Sequence, residues 1–390
     1  MPDGETSFVS AVRYRLNWLK TTALPLWADV GVDPEGGFFE QIDQQGSPVK
    51  GLPRRARVVA RQTYVFATAA ERGWGDYGFL ADHGAAALFD HCLRTDGMTL
   101  STYAPSGVPL NETFDGYDQA FVLFALATIA RTRPNLRDRA VAAGERLLTA
   151  MQARFSHPII GFEEAIPPRT PLLQNPHMHL LEACLQFDLV PGVGSIWRAQ
   201  AASLVQLAQT KLSDGNSGAI HEYFDAAWQP MLDAGGGAIE PGHQFEWAWL
   251  LWQWHDRVAD ENAASLAACL HAIGTDHGRS PDGQVIDLLD AGLALREKTC
   301  RLWPQTERLK ACLAAVEQTG AQGIHGIEGA QEALSGLEPY LATSVPGLWY
   351  DRLTENGDPI KMPSPASSLY HIVCALDYTE RFVQHSKQKS

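Results

Sequence analysis

Apolar residues recur in this chain at i, i+3 and i+4 in one segment after another, while period-two alternation is rare. Segments near 8–22, 55–72, 80–94, 117–131, 137–154, 177–189, 195–212, 243–257, 261–277, 285–297, 305–318, 326–342 and 366–384 follow the pattern, which predicts about thirteen helices. The breaks are rich in glycine and proline: Gly73 to Gly75, Pro105 to Pro109, Pro167 to Pro171, Gly235 to Gly237 and Pro359 to Pro365. Gly37-Phe38-Phe39-Glu40 and Gly347-Leu348-Trp349-Tyr350 read as short hairpin-forming strands within loops. A chain patterned this way folds as an all-α protein.

Polar or aromatic landmarks stand near the helix starts at Arg61, Tyr117, His179, His243, Trp303 and His371, about every 60 residues. That interval is roughly one-sixth of the chain, so the expectation is six helical hairpins closed into a ring, an (α/α)6 barrel with all six positions at one mouth. No linker-like stretch divides the sequence, and residues 1–390 read as a single domain.

Hydrophobic residues make up 45% of the chain and charged residues only 19%, enough apolar material for an extensive core. The net charge of -14 gives no electrostatic attraction to nucleic acid or anionic lipid. Arg54, Arg55, Arg57 and Arg61 form the one dense basic cluster; it reads as a solvated helix face, with a sugar-phosphate site as the other reading. Six scattered cysteines without a CxxC motif read as reduced core residues. No signal-peptide pattern opens the chain, and the apolar uncharged run Gln119 to Ala130 is too short to span a bilayer. Together these features predict a soluble cytoplasmic protein.

Two helix-start motifs point to chemistry. Asn175-Pro176-His177-Met178-His179-Leu180-Leu181-Glu182 and Glu240-Pro241-Gly242-His243-Gln244-Phe245-Glu246-Trp247 each carry a histidine followed three residues later by a glutamate. That step puts both side chains on one helix face, one turn apart. An imidazole beside a carboxylate can move protons near neutral pH. His177 points away from His179 and reads as structural.

With Ala60-Arg61-Gln62-Thr63-Tyr64-Val65-Phe66, Tyr117-Asp118-Gln119-Ala120-Phe121, Leu302-Trp303-Pro304-Gln305-Thr306-Glu307 and Ser368-Leu369-Tyr370-His371, these motifs form an ordered set. The set resembles the N-acylglucosamine 2-epimerase family, which includes cellobiose 2-epimerases and mannose-type aldose–ketose isomerases. The resemblance implies an (α/α)6 barrel, metal-independent proton transfer at sugar carbon 2, no cofactor, and a homodimer as a frequent assembly. It makes His243 and His371 the catalytic histidines and Glu246 the carboxylate supporting the first. Arg61, His179, Tyr117 and Asn175 take substrate-binding positions, and Trp247 and Trp303 the aromatic positions near the sugar. His371 is followed by Ile372-Val373-Cys374-Ala375, where epimerases acting on N-acyl sugars or disaccharides tend to carry an arginine. That departure favours a free monosaccharide such as D-mannose, with N-acyl-D-glucosamine as the nearest alternative.

Aldose–ketose isomerisation needs the ring opened, a proton taken from C2, the enediol(ate) stabilised and a proton returned. His371 is expected to carry the C–H proton and His243 the hydroxyl protons, with Arg61 and His179 on the oxygens. Gln305 and Glu307 read either as sugar ligands or as helix caps. Two rival functions stay open. The paired acids Glu163-Glu164 and Asp287/Asp290 admit a saccharide hydrolase, and a barrel that binds sugar without turning it over is the second. Neither HExxH nor a His-Cys cluster suggests a metal. Gly235-Gly236-Gly237 lacks the Lys-Ser/Thr of a phosphate loop, and no motif supports a nucleotide effector.

Overall fold

The computed structural model describes residues 3–232, 237–320 and 326–389. Six helices form an inner ring: α3 (Ala56–Glu71), α5 (Gly116–Thr132), α7 (Gln174–Asp188), α9 (Pro241–Val258), α11 (Leu302–Thr319) and α14 (Ala366–Lys389). Each packs on the next, and α14 packs on α3 to close the circle. The outer helices α4 (Gly78–Ala87), α6 (Arg137–Phe155), α8 (Ser195–Leu207), α10 (Glu261–Asp276) and α12 (Gly326–Ser335) each lie against the inner helix preceding them in the chain. The sixth outer place is taken from the other end of the chain by α1 (Asp3–Trp18), which packs on α14 and α12. Two short helices, α2 (Leu24–Val30) and α13 (Glu338–Leu341), lie in the connections. The result is an (α/α)6 barrel.

Burial accounts for the sequence pattern of each ring. In α6 the buried residues are Ala140, Ala143, Gly144, Leu147, Leu148, Met151 and Phe155, a single stripe at helical spacing. Inner helices are covered on all sides; in α9 every residue from Pro241 to Trp252 is buried. Helix ends carry ordinary stop and start signals. The Asp115 carboxylate accepts from the backbone N–H groups of Tyr117 and Asp118 at the start of α5, Pro241 opens α9, and Ala259 ends it in a left-handed conformation.

The connections at one end of the barrel carry small antiparallel ladders that tie neighbouring loops together. Gln41–Ile42 pairs with Ser364–Pro365, Arg54–Arg55 with Thr102–Tyr103, Leu172–Leu173 with Tyr223–Phe224, and Cys300–Arg301 with Arg352–Leu353. A repeated clamp fixes the loops to the inner helices. Gln119 both accepts from the Thr99 N–H and donates to its carbonyl; Gln244 does the same for Ile220 and Gln305 for Val285. His177 takes the corresponding place in its hairpin, accepting from Phe162 N–H while its other nitrogen lies 2.8 Å from the Leu173 carbonyl.

Three expectations from the sequence need correction. The segment 285–297 is a hairpin, Leu288–Leu289 against Leu295–Glu297, because the Asp290 carboxylate accepts from the N–H groups of Gly292 and Ala294 and closes a turn. Phe38 makes only a single bridge, to Val32, and 347–350 forms no strand. Trp349 is instead a core residue stacked on Trp27 at 4.8 Å. Of the loop at 235–237, Gly235 and Gly236 lie outside the described residues. None of the six cysteines forms a disulfide, and five are buried. No helix among the described residues is long and apolar enough to cross a membrane.

Candidate active site

The N-terminal turns of the six inner helices converge on a cavity of about 240 Å³, lined by Arg61, Tyr117, Asn175, His179, Glu240, His243, Glu246, Arg301, Trp303, Asp351, Ser367, Ser368 and His371. Each inner helix supplies at least one of these side chains. Helix N-termini carry partial positive charge, so six of them facing one space favour an anion forming there.

Each of the three histidines in the wall has Nδ1 against a carboxylate, leaving Nε2 for the cavity. His371 Nδ1 lies 2.8 Å from Glu307 Oε1, His243 Nδ1 2.9 Å from Glu222 Oε1, and His179 Nδ1 3.2 Å from Glu182 Oε2. Their surroundings then separate them. Burial works against charge on His243, but Glu222 and Glu240 outweigh it and raise its pKa to about 9, making it an imidazolium at neutral pH. Burial, reinforced by the Arg61 and Lys310 cations, drives His371 well below the usual histidine range and keeps it neutral. Burial lowers His179 to about 4 despite Glu182. One wall thus offers a proton donor and another a free base, the division that acid–base chemistry at a C–H bond requires.

Trp303 packs between the two, its ring 4.9 Å from that of His243 and 5.6 Å from that of His371. Gly242 makes this approach possible: a Cβ there would meet the Trp303 ring at 2.6 Å. Arg61 lies 4.0 Å from the Phe121 ring centroid and donates to the Tyr117 hydroxyl at 2.5 Å, with no carboxylate partner among the described residues. Asn175 Oδ1 and both oxygens of Glu246 are buried without a hydrogen-bond partner among the described residues. Burial, with Glu307 and Glu182 nearby, lifts Glu246 well above the usual carboxylate range and so favours its neutral form.

Eight of the nine side chains singled out from the sequence line this cavity, and Trp247 does not. Trp247 is fully buried behind it and donates its indole N–H to Gln174 Oε1 at 2.6 Å. Gln174 in turn donates to Glu222 Oε2 at 2.8 Å, so Trp247 braces the partner of His243 from behind the cavity wall. Glu246 was expected to support His243. The bonded carboxylate is Glu222, from the connection before α9, while Glu246 sits 3.8 Å from His179 Nδ1. Glu222 was missed because no helical spacing links it to His243. Glu307 supports His371, and its spacing of one turn from Trp303 was the available signal. Gln305 is neither a sugar ligand nor a cap; it is the Val285 clamp.

The basic cluster is not a solvated face. Arg54 is buried and ion-paired with Asp33, Arg55 with Glu40, and Arg57 with Asp118 and Asp115. At the rim Arg301 is held by Glu240 and Asp287, and Arg352 also pairs with Asp287. The acids that suggested a hydrolase are engaged elsewhere. Asp287 is taken by these arginines, Asp290 closes its turn, and Glu164 accepts from the Leu173 N–H outside the cavity wall. Three sets bring donor atoms close enough to surround a cation: His179–Glu182–Glu246, Glu222–Glu240–His243 and Glu246–Glu307–His371.

A ring of six helical hairpins with imidazole–carboxylate pairs at one mouth defines an (α/α)6 barrel built around an acid–base site. The model of the N-acylglucosamine 2-epimerase (GlcNAc 2-epimerase) family matches residues 37–375, and the chain belongs to that family. A mannose-6-phosphate isomerase of Rhizobium meliloti (strain 1021) is 40% identical over 365 residues, 92% of this chain and 94% of the relative. A D-mannose isomerase of Marinomonas mediterranea is 25% identical over 285 residues, 66% of this chain and 71% of that protein. Among solved structures, a D-mannose isomerase superposes with a TM-score of 0.85 at 20% identity, covering 98% of this chain and 99% of its own, a likeness of fold. The protein is a sugar isomerase or epimerase of this family.

Proposed function

We propose that the enzyme interconverts a free aldohexose and its 2-ketose, D-mannose and D-fructose being the leading pair, through an enediol(ate) and without a metal. The observation that carries this reading is the pairing of a neutral His371 on Glu307 with a cationic His243 on Glu222 around one cavity. His243 serves ring opening, then protonates O1 as the neutral Nε2 of His371 takes the proton from C2. His371 returns that proton to C1 on the same face while His243 recovers one from O2, which leaves the ketose. Arg61, Asn175 and the helix N-termini hold the oxygens on which charge develops. Trp303 presents an aromatic face to the sugar C–H surface.

An uncharged substrate is supported by the pairing of Arg57, Arg301 and Arg352 with carboxylates, which leaves Arg61, deep in the wall, as the lining guanidinium without one among the described residues. The 40% identical relative, a mannose-6-phosphate isomerase, supports a second reading, D-mannose 6-phosphate. The metal-independent route is supported by the Lys310 ammonium, 2.7 Å from Glu307, which repels a cation from the His371 set. The reading of residues 1–390 as one domain rests on closure of the ring by α1 and α14.

Proton NMR of the chelator-treated enzyme with each sugar in D2O tests the proposal. Fructose forming from mannose, with deuterium entering at C1 or C2, is the expected result. Glucose as the main product would replace isomerisation by 2-epimerisation. Turnover of only the 6-phosphate, or of N-acetylmannosamine, would overturn the free hexose.

A further inference from the structure

Glu307 and Lys310 stand one turn apart on α11, and together with His371 on α14 they form a relay that leads away from the cavity. Lys310 Nζ lies 2.7 Å from Glu307 Oε2, and the other Glu307 oxygen lies 2.8 Å from His371 Nδ1. Lys310 is completely buried, its ammonium 3.8 Å from the centroid of the Trp249 ring and 3.7 Å from Cys374 Sγ. It does not line the cavity, so it cannot touch substrate. A lysine is seldom buried this fully unless it compensates a charge.

The groups that meet this ammonium come from four helices. Glu182 projects from α7, Glu246 and Trp249 from α9, Glu307 from α11, and Cys374 from α14. Glu182 has its own donors in Tyr370 and His179, and the ion pair that Lys310 makes is with Glu307, while burial favours the neutral form of Glu246. Glu307 is therefore the carboxylate whose charge depends on Lys310. Burial raises Glu307, and the lysine is the foremost influence opposing that rise.

We infer that Lys310 is a positioning residue: by holding Glu307 as a carboxylate it fixes the proton of His371 on Nδ1 and leaves the Nε2 lone pair toward the sugar. The inference rests on the reading of His371 as the base at C2. Were Glu307 a carboxylic acid, its O–H would donate to Nδ1. The imidazole proton would then sit on Nε2, where it blocks removal of a C–H proton. The aspartate of a serine-protease triad obeys the same logic, since its amide variant selects the wrong tautomer and loses about 10⁴-fold in rate.

The test combines histidine-selective ¹⁵N NMR, which reads the tautomer, with exchange of the mannose C2 proton in D2O. The wild-type enzyme should show His371 as the Nδ1–H form at pH 7; an Nε2–H form overturns the inference whatever any variant does. In Lys310→Met the tautomer should invert, and exchange should fall about 10³- to 10⁴-fold with KM changed little. Retained Nδ1–H and retained rate would overturn the inference. Should that variant fail to fold, Glu307→Gln decides. With Lys310 holding its amide oxygen, the amide NH2 faces Nδ1 and Nε2–H is expected, whereas Nδ1–H would mean that Lys310 does not orient the acceptor. His371→Asn separates the two ideas. If it keeps C2 exchange, the assignment of the base fails. If it is inactive while Lys310→Met is fully active, only the role of Lys310 fails.

Discussion

Glu222 and His243 meet at 2.9 Å although they lie on opposite sides of a loop, one beside a rim strand and the other in the first turn of α9. The pair is braced from behind, because Trp247, one turn further along α9, holds the Gln174 amide that donates to the second Glu222 oxygen. The acid of the proposed reaction is thus made by an ion pair whose carboxylate comes from a loop and whose orientation comes from the core.

Removing that carboxylate charge should weaken the hold of His243 on its proton. With Glu222 and Glu240 in place its pKa is about 9, so activity that needs the imidazolium should be lost as pH rises through about 9. In Glu222→Gln the alkaline limb of kcat/KM should move down by about 1–3 pH units, the range for losing one adjacent opposite charge. An alkaline limb that stays in place would show that His243 is not the group titrating there.

Stability should depend on pH at both ends of the neutral range, with opposite signs for the two histidine environments. His243 binds its proton more tightly folded than unfolded, so its contribution is complete below about 6.5 and disappears as pH rises through about 9. His179 is depressed to about 4, so the unfolded chain gains a proton first and stability falls as pH drops from about 6.5 toward 4. Urea midpoints measured from pH 4 to 10 should trace a dome. His243→Asn should flatten its alkaline side and His179→Asn its acid side.

Arg61 is boxed by aromatic rings, with Phe121 at 4.0 Å and Tyr117 and Tyr370 both at 5.3 Å from its guanidinium carbon. That box suits a planar guanidinium and not an ammonium on a flexible stem. Arg61→Lys should keep the fold and lower kcat by about 10²-fold, the scale of one lost oxyanion donor. A change confined to KM would assign Arg61 to ground-state binding alone.

Gly242 is the most sensitive backbone position at the mouth. An added methyl would meet Trp303 at 2.6 Å and Pro304 at 2.9 Å, and neither can yield without moving the start of α11. Gly242→Ala should shift the indole toward the sugar, raise KM about 10-fold or more and alter tryptophan fluorescence, while helical circular dichroism stays unchanged. Wild-type KM in this variant would remove Trp303 from the sugar face.

The ring was legible because its two layers leave different imprints: a single stripe on an outer helix such as α6, and apolar residues on every face of an inner helix such as α9. Arg61, His179, His243 and His371 stood out as polar residues at the heads of those inner helices, and all four line one cavity. Their partners were less visible. Glu307 shares a helix with Trp303 and could be placed one turn away, but Glu222 belongs to a loop, where no period relates one residue to the next. Trp247 misled because an aromatic beside a catalytic histidine reads alike whether it faces the cavity or the core. The 285–297 hairpin misled for a related reason: its leucines keep helical spacing, while the reversal at Asp290 depends on a side-chain bond to the backbone.

The ring closes where the first helix of the chain packs against the last, and that last helix carries His371. A ribosome making this protein therefore delivers five sectors of the wall, from Arg61 through Trp303, before it delivers the proposed base. The closing step joins the most distant parts of the sequence, the slow kind of event in folding. On the proposed mechanism, a nascent chain can accumulate most of a sugar-sized hollow and still lack the group that takes a proton from carbon, so chemistry would switch on only once α14 closes the ring.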